Sequence, residues 1–267
     1  MPQAWQSYDS AAATHDRVAA PNIFAPPAKD LVARMGLATA GAILDVGTGT
    51  GIAALAALES SAPGAVVVGL DISLEMLRVA QNRGLVRVVA GAVPGLPFPA
   101  ASFDGILANF VLTHVTDYSV ALCDMVRVLR PRAKLGVTAW ATTENEYREF
   151  WQSTAELFIS RQALQTATQA ALPWEDWFTN AIHLRQAFQD AGLIGIELQQ
   201  MRYNSRMSIA DFLDMREASI QARFMRQTLN AQRWEEFKRT LVAEFYRRFT
   251  DPIEHTRDVH IAIGTRP

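Results

Sequence analysis

Cysteine is nearly absent: Cys123 is the only one in 267 residues. A single thiol excludes an internal disulfide and any multi-cysteine zinc or iron–sulfur centre. It suits a reducing compartment, so a cytoplasmic protein is expected. Excess charge of either sign is also missing, with 25 Lys and Arg against 27 Asp and Glu. The balance holds along the chain, with ten basic and ten acidic residues up to position 140 and fifteen and seventeen beyond it. Such a surface gives nucleic acid or an anionic membrane little electrostatic purchase, and neither is an expected partner. No run of about eighteen apolar residues occurs, so no membrane span is expected. The opening MPQAWQSYDS lacks the basic start and apolar core of a signal peptide. His183, His255 and His260 show no metal-ligand spacing, and no acidic cluster is arranged for Mg²⁺, so no metal is expected.

What is present is a globular composition, 49% hydrophobic and 19% charged, ample for a buried core. After Pro21, Pro26 and Pro27, residues 28–35 read as a helix ended by Gly36. Strand and helix patterns then alternate: strands at 42–46, 65–70, 86–90, 103–110 and 135–140, with helices at 52–59, 74–82 and from Asp117 to about 130. Ser73 and Asp117 are placed to cap two of these helices. The alternation predicts a parallel sheet covered on both faces. Beyond residue 140 the apolar spacing turns helical through Tyr147, Phe150, Trp151 and Phe158. A helix at 181–191, a strand at 196–203, helices at 209–229 and 232–249 and a last strand at 259–264 follow. The expectation is one α/β domain over 1–267. Its parts are an N-terminal helical cap (1–40), a ligand-binding core (41–140), helical insertions around the sixth strand (141–255) and the final strand (256–267).

The chemistry concentrates where the first strand meets its helix, at Asp45-Val-Gly47-Thr48-Gly49-Thr-Gly51. Alternating glycines let the main chain turn sharply and approach a ligand, and the following helix offers free N–H groups and a positive dipole end. The spacing departs from the dinucleotide fingerprint, since Ile52 stands where its third glycine belongs. No Gly-Lys-Ser/Thr follows, which excludes a P-loop. A second element, Val66-Val-Val-Gly-Leu-Asp71, sets a carboxylate at the tip of the second strand, able to accept from ribose hydroxyls.

These two segments resemble the first motifs of class I S-adenosylmethionine (SAM) methyltransferases. Leu96-Pro-Phe-Pro99 with Ser102-Phe-Asp104, Ala108 to His114, and Val128-Leu-Arg-Pro131 resemble the later ones. The likeness is to small-molecule enzymes of the ubiquinone/menaquinone C-methyltransferase kind. It covers about residues 40–140 and leaves 141–255 without a counterpart. It implies a seven-stranded, mostly parallel Rossmann-like sheet with a helical lid, SAM as cofactor and a small-molecule methyl acceptor. It also implies roles. Gly47, Gly49 and Gly51 face the methionine part, Asp45 braces the loop, Asp71 holds the ribose, Ile72 lies against adenine and Asn109 presents backbone to the cofactor's amino group. Tyr8, Thr48, Met76, Ala92, Val93 and Phe110 complete the implied cofactor set. The acidic residue that many relatives use for the adenine amino group is replaced here by Ala92.

A sulfonium already activates its methyl group, so such a site needs alignment and dryness more than a catalytic constellation. His114, just past the fourth strand, is the candidate base. Trp140, Tyr147 and Trp151 are candidate walls of an acceptor pocket, although the same stripe also reads as core. Arg216, Arg223 and Arg226 read as a solvated helix face, or else as recognition of an acidic acceptor. A nucleic-acid methyltransferase lacks support, since no Asn-Pro-Pro-Tyr motif occurs. A nicotinamide oxidoreductase is disfavoured by Ile52 and the lack of a Tyr-x-x-x-Lys pair. A non-catalytic SAM binder stays open. The helices after residue 207 are either a lid or a contact of a homodimer.

Overall fold

A computed structural model describes residues 4–267. Its centre is a seven-stranded sheet of order β3-β2-β1-β4-β5-β7-β6. The strands are β1 (Ala42–Val46), β2 (Val66–Asp71), β3 (Arg87–Ala90), β4 (Phe103–Asn109), β5 (Leu129–Trp140), β6 (Ile194–Met207) and β7 (Ile253–Thr265). Pairing is parallel from β3 through β5, and β7 runs antiparallel to both of its neighbours. The mostly parallel, Rossmann-like sheet implied by the motifs is therefore observed.

Alternating side chains explain the layers. Ile43 and Leu107 point to one face, against α2 (Ala25–Met35) and α3 (Ile52–Ser60). Leu44 and Ile106 point to the other, against α5 (Tyr118–Val128) and α9 (Ala181–Asp190). All four are fully buried. Before α2 the chain forms a three-residue turn of helix, α1 (Ala12–Thr14), and then a wide π-wound stretch, His15–Phe24, containing Pro21. Proline has no N–H for an i→i−4 ladder, and the wider winding tolerates that gap. Helix α4 (Leu74–Asn82) begins as expected at Ser73, whose Oγ accepts from Met76 N at 3.2 Å.

A third core cluster lies outside the sheet, built from α6 (Glu146–Ala155), α7 (Arg161–Ala171), α10 (Ile209–Glu217), α11 (Ile220–Thr228) and α12 (Ala231–Arg248). The short α8 (Glu175–Phe178) leads into α9. Three expectations need correction. The single helix expected at 209–229 is two, because Ser219 is extended and its hydroxyl caps α11 through Ala222 N. Strand β5 begins at Leu129, directly after α5, and passes Pro131 through an irregularity at which Arg132 takes φ +66°. The last strand starts at Ile253 rather than 259, because it pairs along the full length of an equally extended β6. Among the described residues no helix is long and apolar enough to cross a membrane.

Candidate active site

The glycine loop sits at the carboxyl ends of β1 and β2. Thr48 N donates to Leu70 O at 2.9 Å, which fastens the loop to the second strand. Gly47 (φ +63°) turns where a side chain would be strained, and a Cβ there would stand 2.6 Å from Val111 Cγ2. Gly49 (φ +53°) differs: a Cβ there would meet nothing within 4 Å, so its open side is where a ligand gains access to the backbone. Asp45, 1% exposed, accepts from Thr48 Oγ1 at 2.7 Å and Ala54 N at 3.0 Å through one oxygen. Its other oxygen has no partner among the described residues. Burial pushes its carboxyl up to about 7, against the pull of those two bonds.

Asp71 closes the loop from the neighbouring strand. One oxygen accepts from Gly49 N and the other from Ser73 N, both at 2.8 Å. Burial raises its pKa, and these backbone donors oppose the rise. Each oxygen keeps a second lone pair, so the carboxylate can still accept from a diol. Ile72, beside it, is 75% exposed, an apolar surface at the place implied for adenine. Ala92 is exposed and Val93 half-buried in the segment after β3. Met76 is 4% exposed on the inner side of α4.

The end of β4 is fixed by one hydroxyl. Thr138 Oγ1 accepts from Phe110 N at 2.9 Å and donates to Asn109 Oδ1 at 2.7 Å. This holds Phe110, a non-glycine residue, at φ +60°. Its ring stacks on Trp140 at 4.0 Å and meets the edge of Phe24 at 5.3 Å. Backbone strain of this kind persists only where surroundings enforce it. Phe110 thus offers backbone to the loop region while its ring belongs to the core.

The N-terminal segment covers this edge. Asp9 Oδ1 accepts from Ser73 Oγ at 2.5 Å. The Tyr8 ring meets His114 edge-on at 5.4 Å, with the Arg223 guanidinium 4.5 Å from its centroid. His114 retains accessible surface yet is hemmed in by protein, and that crowding plus the Arg223 charge holds its imidazole down at about 4. It is neutral at pH 7.

Beyond Tyr8 lies a cavity of about 190 Å³. Its apolar wall includes Phe24 and Trp140, and its polar wall includes Arg148, Arg216, Arg257, His255 and Glu175. Trp140, a candidate wall, lines this cavity. Tyr147 and Trp151 do not line this cavity: Trp151 is 1% exposed in the third core, and Tyr147 packs on Phe212 and Phe249. Their spacing is that of a buried helix face, and the core reading prevails. Of the three arginines expected on one lid helix, only Arg216 reaches the cavity. Arg223 turns to the carbonyls of Trp5 and Ala218, and Arg226 is exposed. Sequence reasoning missed Thr138, Arg148 and Arg257. The one signal for Arg257 is the alternation along β7, which puts it on the same face as His255.

A glycine bend facing a strand-tip carboxylate at the mouth of a Rossmann-like sheet is an arrangement at which open α/β sheets bind nucleosides. Comparison with known proteins gives the class its particular form. Residues 44–137 match the family described as a methyltransferase domain. A demethylmenaquinone methyltransferase of Tropheryma whipplei is 33% identical over 153 residues, 54% of this chain and 63% of that one. One from Thermus thermophilus is 43% identical over 100 residues, 36% and 45% of the two chains. The chain thus spans less than two thirds of the length of these curated relatives. The YcgJ protein from Bacillus subtilis, at 18% identity and a TM-score of 0.54, shares the fold over 90% of this chain and 98% of its own. Residues 44–137 are thus similar to a methyltransferase domain, in keeping with the resemblance the motifs carry.

Proposed function

We propose that the chain transfers the methyl group of SAM to a small-molecule acceptor held in the cavity beyond Tyr8. The observation that carries this is the closure of the Gly47–Gly51 bend onto Asp71, with Gly49 N 2.8 Å from the carboxylate and open space on the glycine's other side. When bound, SAM supplies an electrophilic methyl on a sulfonium. The protein's residues do the rest. Asp71 holds the ribose hydroxyls, and Ile72 supplies an apolar surface for the base. Asp45 keeps the loop in shape through Thr48 Oγ1 and Ala54 N. Asn109 and Phe110 present backbone from the end of β4. Tyr8 and the segment behind it exclude water, which sharpens every electrostatic contact inside.

His114 has a neutral imidazole at pH 7 and can take a proton from the acceptor. A group held near 4 is a weak base, so it suits acceptors with an acidic proton, such as phenols or enols. The relatives are named for a quinone precursor, and a ring-bearing acceptor suits the Phe24 and Trp140 wall. The family match ends at residue 137, before the arginines of the cavity, so it leaves the acceptor unspecified.

Thermal melts with SAM, S-adenosylhomocysteine, NAD and NADP test the cofactor. Stabilisation by the first two alone is expected, and stabilisation by the nicotinamide cofactors alone would overturn the assignment.

A further inference from the structure

We infer that the acceptor carries an anionic oxygen group, a carboxylate or a phosphate monoester, held by Arg148, Arg216 and Arg257 on the cavity wall. This rests on the methyl-transfer reading and names the substrate class of the same site. Three guanidiniums from three separate elements, α6, α10 and β7, converge on one cavity, and Glu175 is the one carboxylate among its described lining residues. None of the three makes an ion pair among the described residues, and Glu175 makes none either. Arg216 lies 4.3 Å over the Trp151 ring and Arg257 5.2 Å over Trp140, so aromatic faces orient both side chains without neutralising them.

Five polar atoms bordering the cavity have no partner among the described residues: Arg216 Nε, Arg257 Nε, both ring nitrogens of His255, and His15 Nδ1. Buried donors are ordinarily satisfied, and like charges gathered in a low dielectric repel. Burial first, then repulsion from Arg148, pulls Arg216 down to about 9 and Arg257 to about 10, against a smaller opposing attraction to Glu175. Elsewhere in this fold arginines find acceptors, Arg202 the Asp258 carboxylate at 2.8 Å and Arg223 the carbonyls of Trp5 and Ala218. An unneutralised trio around a cavity is the arrangement that an incoming anion completes, and the guanidinium fork matches carboxylate and phosphate oxygens. Phe24 and Trp140 on the apolar wall suit the rest of a ring-bearing acceptor.

Calorimetric titration of the full chain, saturated with S-adenosylhomocysteine, tests this with benzoate, phenyl phosphate and the neutral benzamide. At least one anion is expected to bind tenfold or more tightly than benzamide. Tighter binding of benzoate assigns a carboxylate, and of phenyl phosphate a phosphate monoester. Arg257→Gln should weaken the anion at least tenfold, Arg216→Gln likewise, and Arg226→Gln, on an exposed side chain, should leave it within twofold. S-adenosylhomocysteine affinity should stay within twofold throughout. Without ligand, Arg257→Gln should melt no lower than the parent, because repulsion is relieved. Equal binding of benzamide and both anions, or anion binding indifferent to both substitutions, would overturn the inference. So would loss of anion binding on saturation with S-adenosylhomocysteine, since the arginines would then serve the cofactor's carboxylate. Should S-adenosylhomocysteine fail to bind, the methyl-transfer reading fails, and the benzoate–benzamide comparison on unliganded protein still decides the anion site.

Discussion

Replacing Asp71 by Ala separates two jobs that the structure gives one side chain. In the unliganded fold its oxygens accept from Gly49 N and Ser73 N. Losing two such bonds at a half-buried position costs about 1 kcal/mol each, so a fall in melting temperature of roughly 4–8 °C is expected. The proposed second job is larger. Two ribose hydroxyls donating to a carboxylate contribute about 1.5 kcal/mol apiece at the low end, so the cofactor should bind roughly a hundredfold more weakly. Asp71→Asn keeps the shape but turns an amide donor toward one of the two backbone donors. It should melt no higher than the alanine variant while retaining part of the affinity. Calorimetric titration with S-adenosylhomocysteine beside ligand-free melts measures both quantities. A folded Asp71→Ala protein that binds S-adenosylhomocysteine within threefold of the parent would refute the ribose assignment.

Gly47→Ala should destabilise by about 1–2 kcal/mol from the left-handed backbone alone, plus the clash with Val111. Adding Val111→Ala should recover the clash part only, as read by urea midpoints. Thr138→Val leaves Phe110 N buried without an acceptor and should cost about 1–3 kcal/mol, with chemical shifts of Asn109 and Phe110 moving most. Acid should weaken the fold before most carboxylates titrate. Burial holds His15 near 4 and His255 near 3, and crowding with the Arg223 charge holds His114 near 4, whereas an unfolded histidine titrates near 6.5. Their contribution is complete above about 6.5 and is lost as pH falls toward 4. Asp45, raised to about 7, acts in the opposite sense: it favours the fold most at low pH and loses that contribution as pH rises toward 7. Asp71, likewise raised by burial, acts with Asp45, and three histidines outweigh these two carboxyls, so melting temperature should fall between pH 6.5 and 4.5, and a flat or rising profile would contradict the neutral state of the histidines.

The parallel half of the sheet was legible because each of its strands is a short apolar run ended by a turn signal. The glycine loop and Asp71 were legible because their chemistry is local in sequence. The cavity beyond Tyr8 was not. Arg148, Arg216 and Arg257 come from three elements, and nothing in their separate neighbourhoods distinguishes them from solvated arginines. Tyr147 and Trp151 show the converse: helical aromatic spacing reports burial without saying whether a core or a cavity is on the other side. The break at Ser219 was visible as a capping residue followed by Ile220, but the continuous apolar periodicity across it suggested one helix. Thr138 was hidden for another reason. A hydroxyl in a buried strand looks like a tolerated substitution until its two partners at the end of β4 are seen.

The hairpin of β6 and β7 has a consequence for how this protein can diversify. Pairing of β7 with β5 ends at Val259 opposite Trp140, while pairing with β6 continues out to Ile253 opposite Met207. The overhanging part works as a beam rooted in the central sheet, carrying His255 and Arg257 past its edge and into contact with the third core. The helices around that beam can be exchanged or lengthened while the strand pairing keeps the two side chains it carries in register.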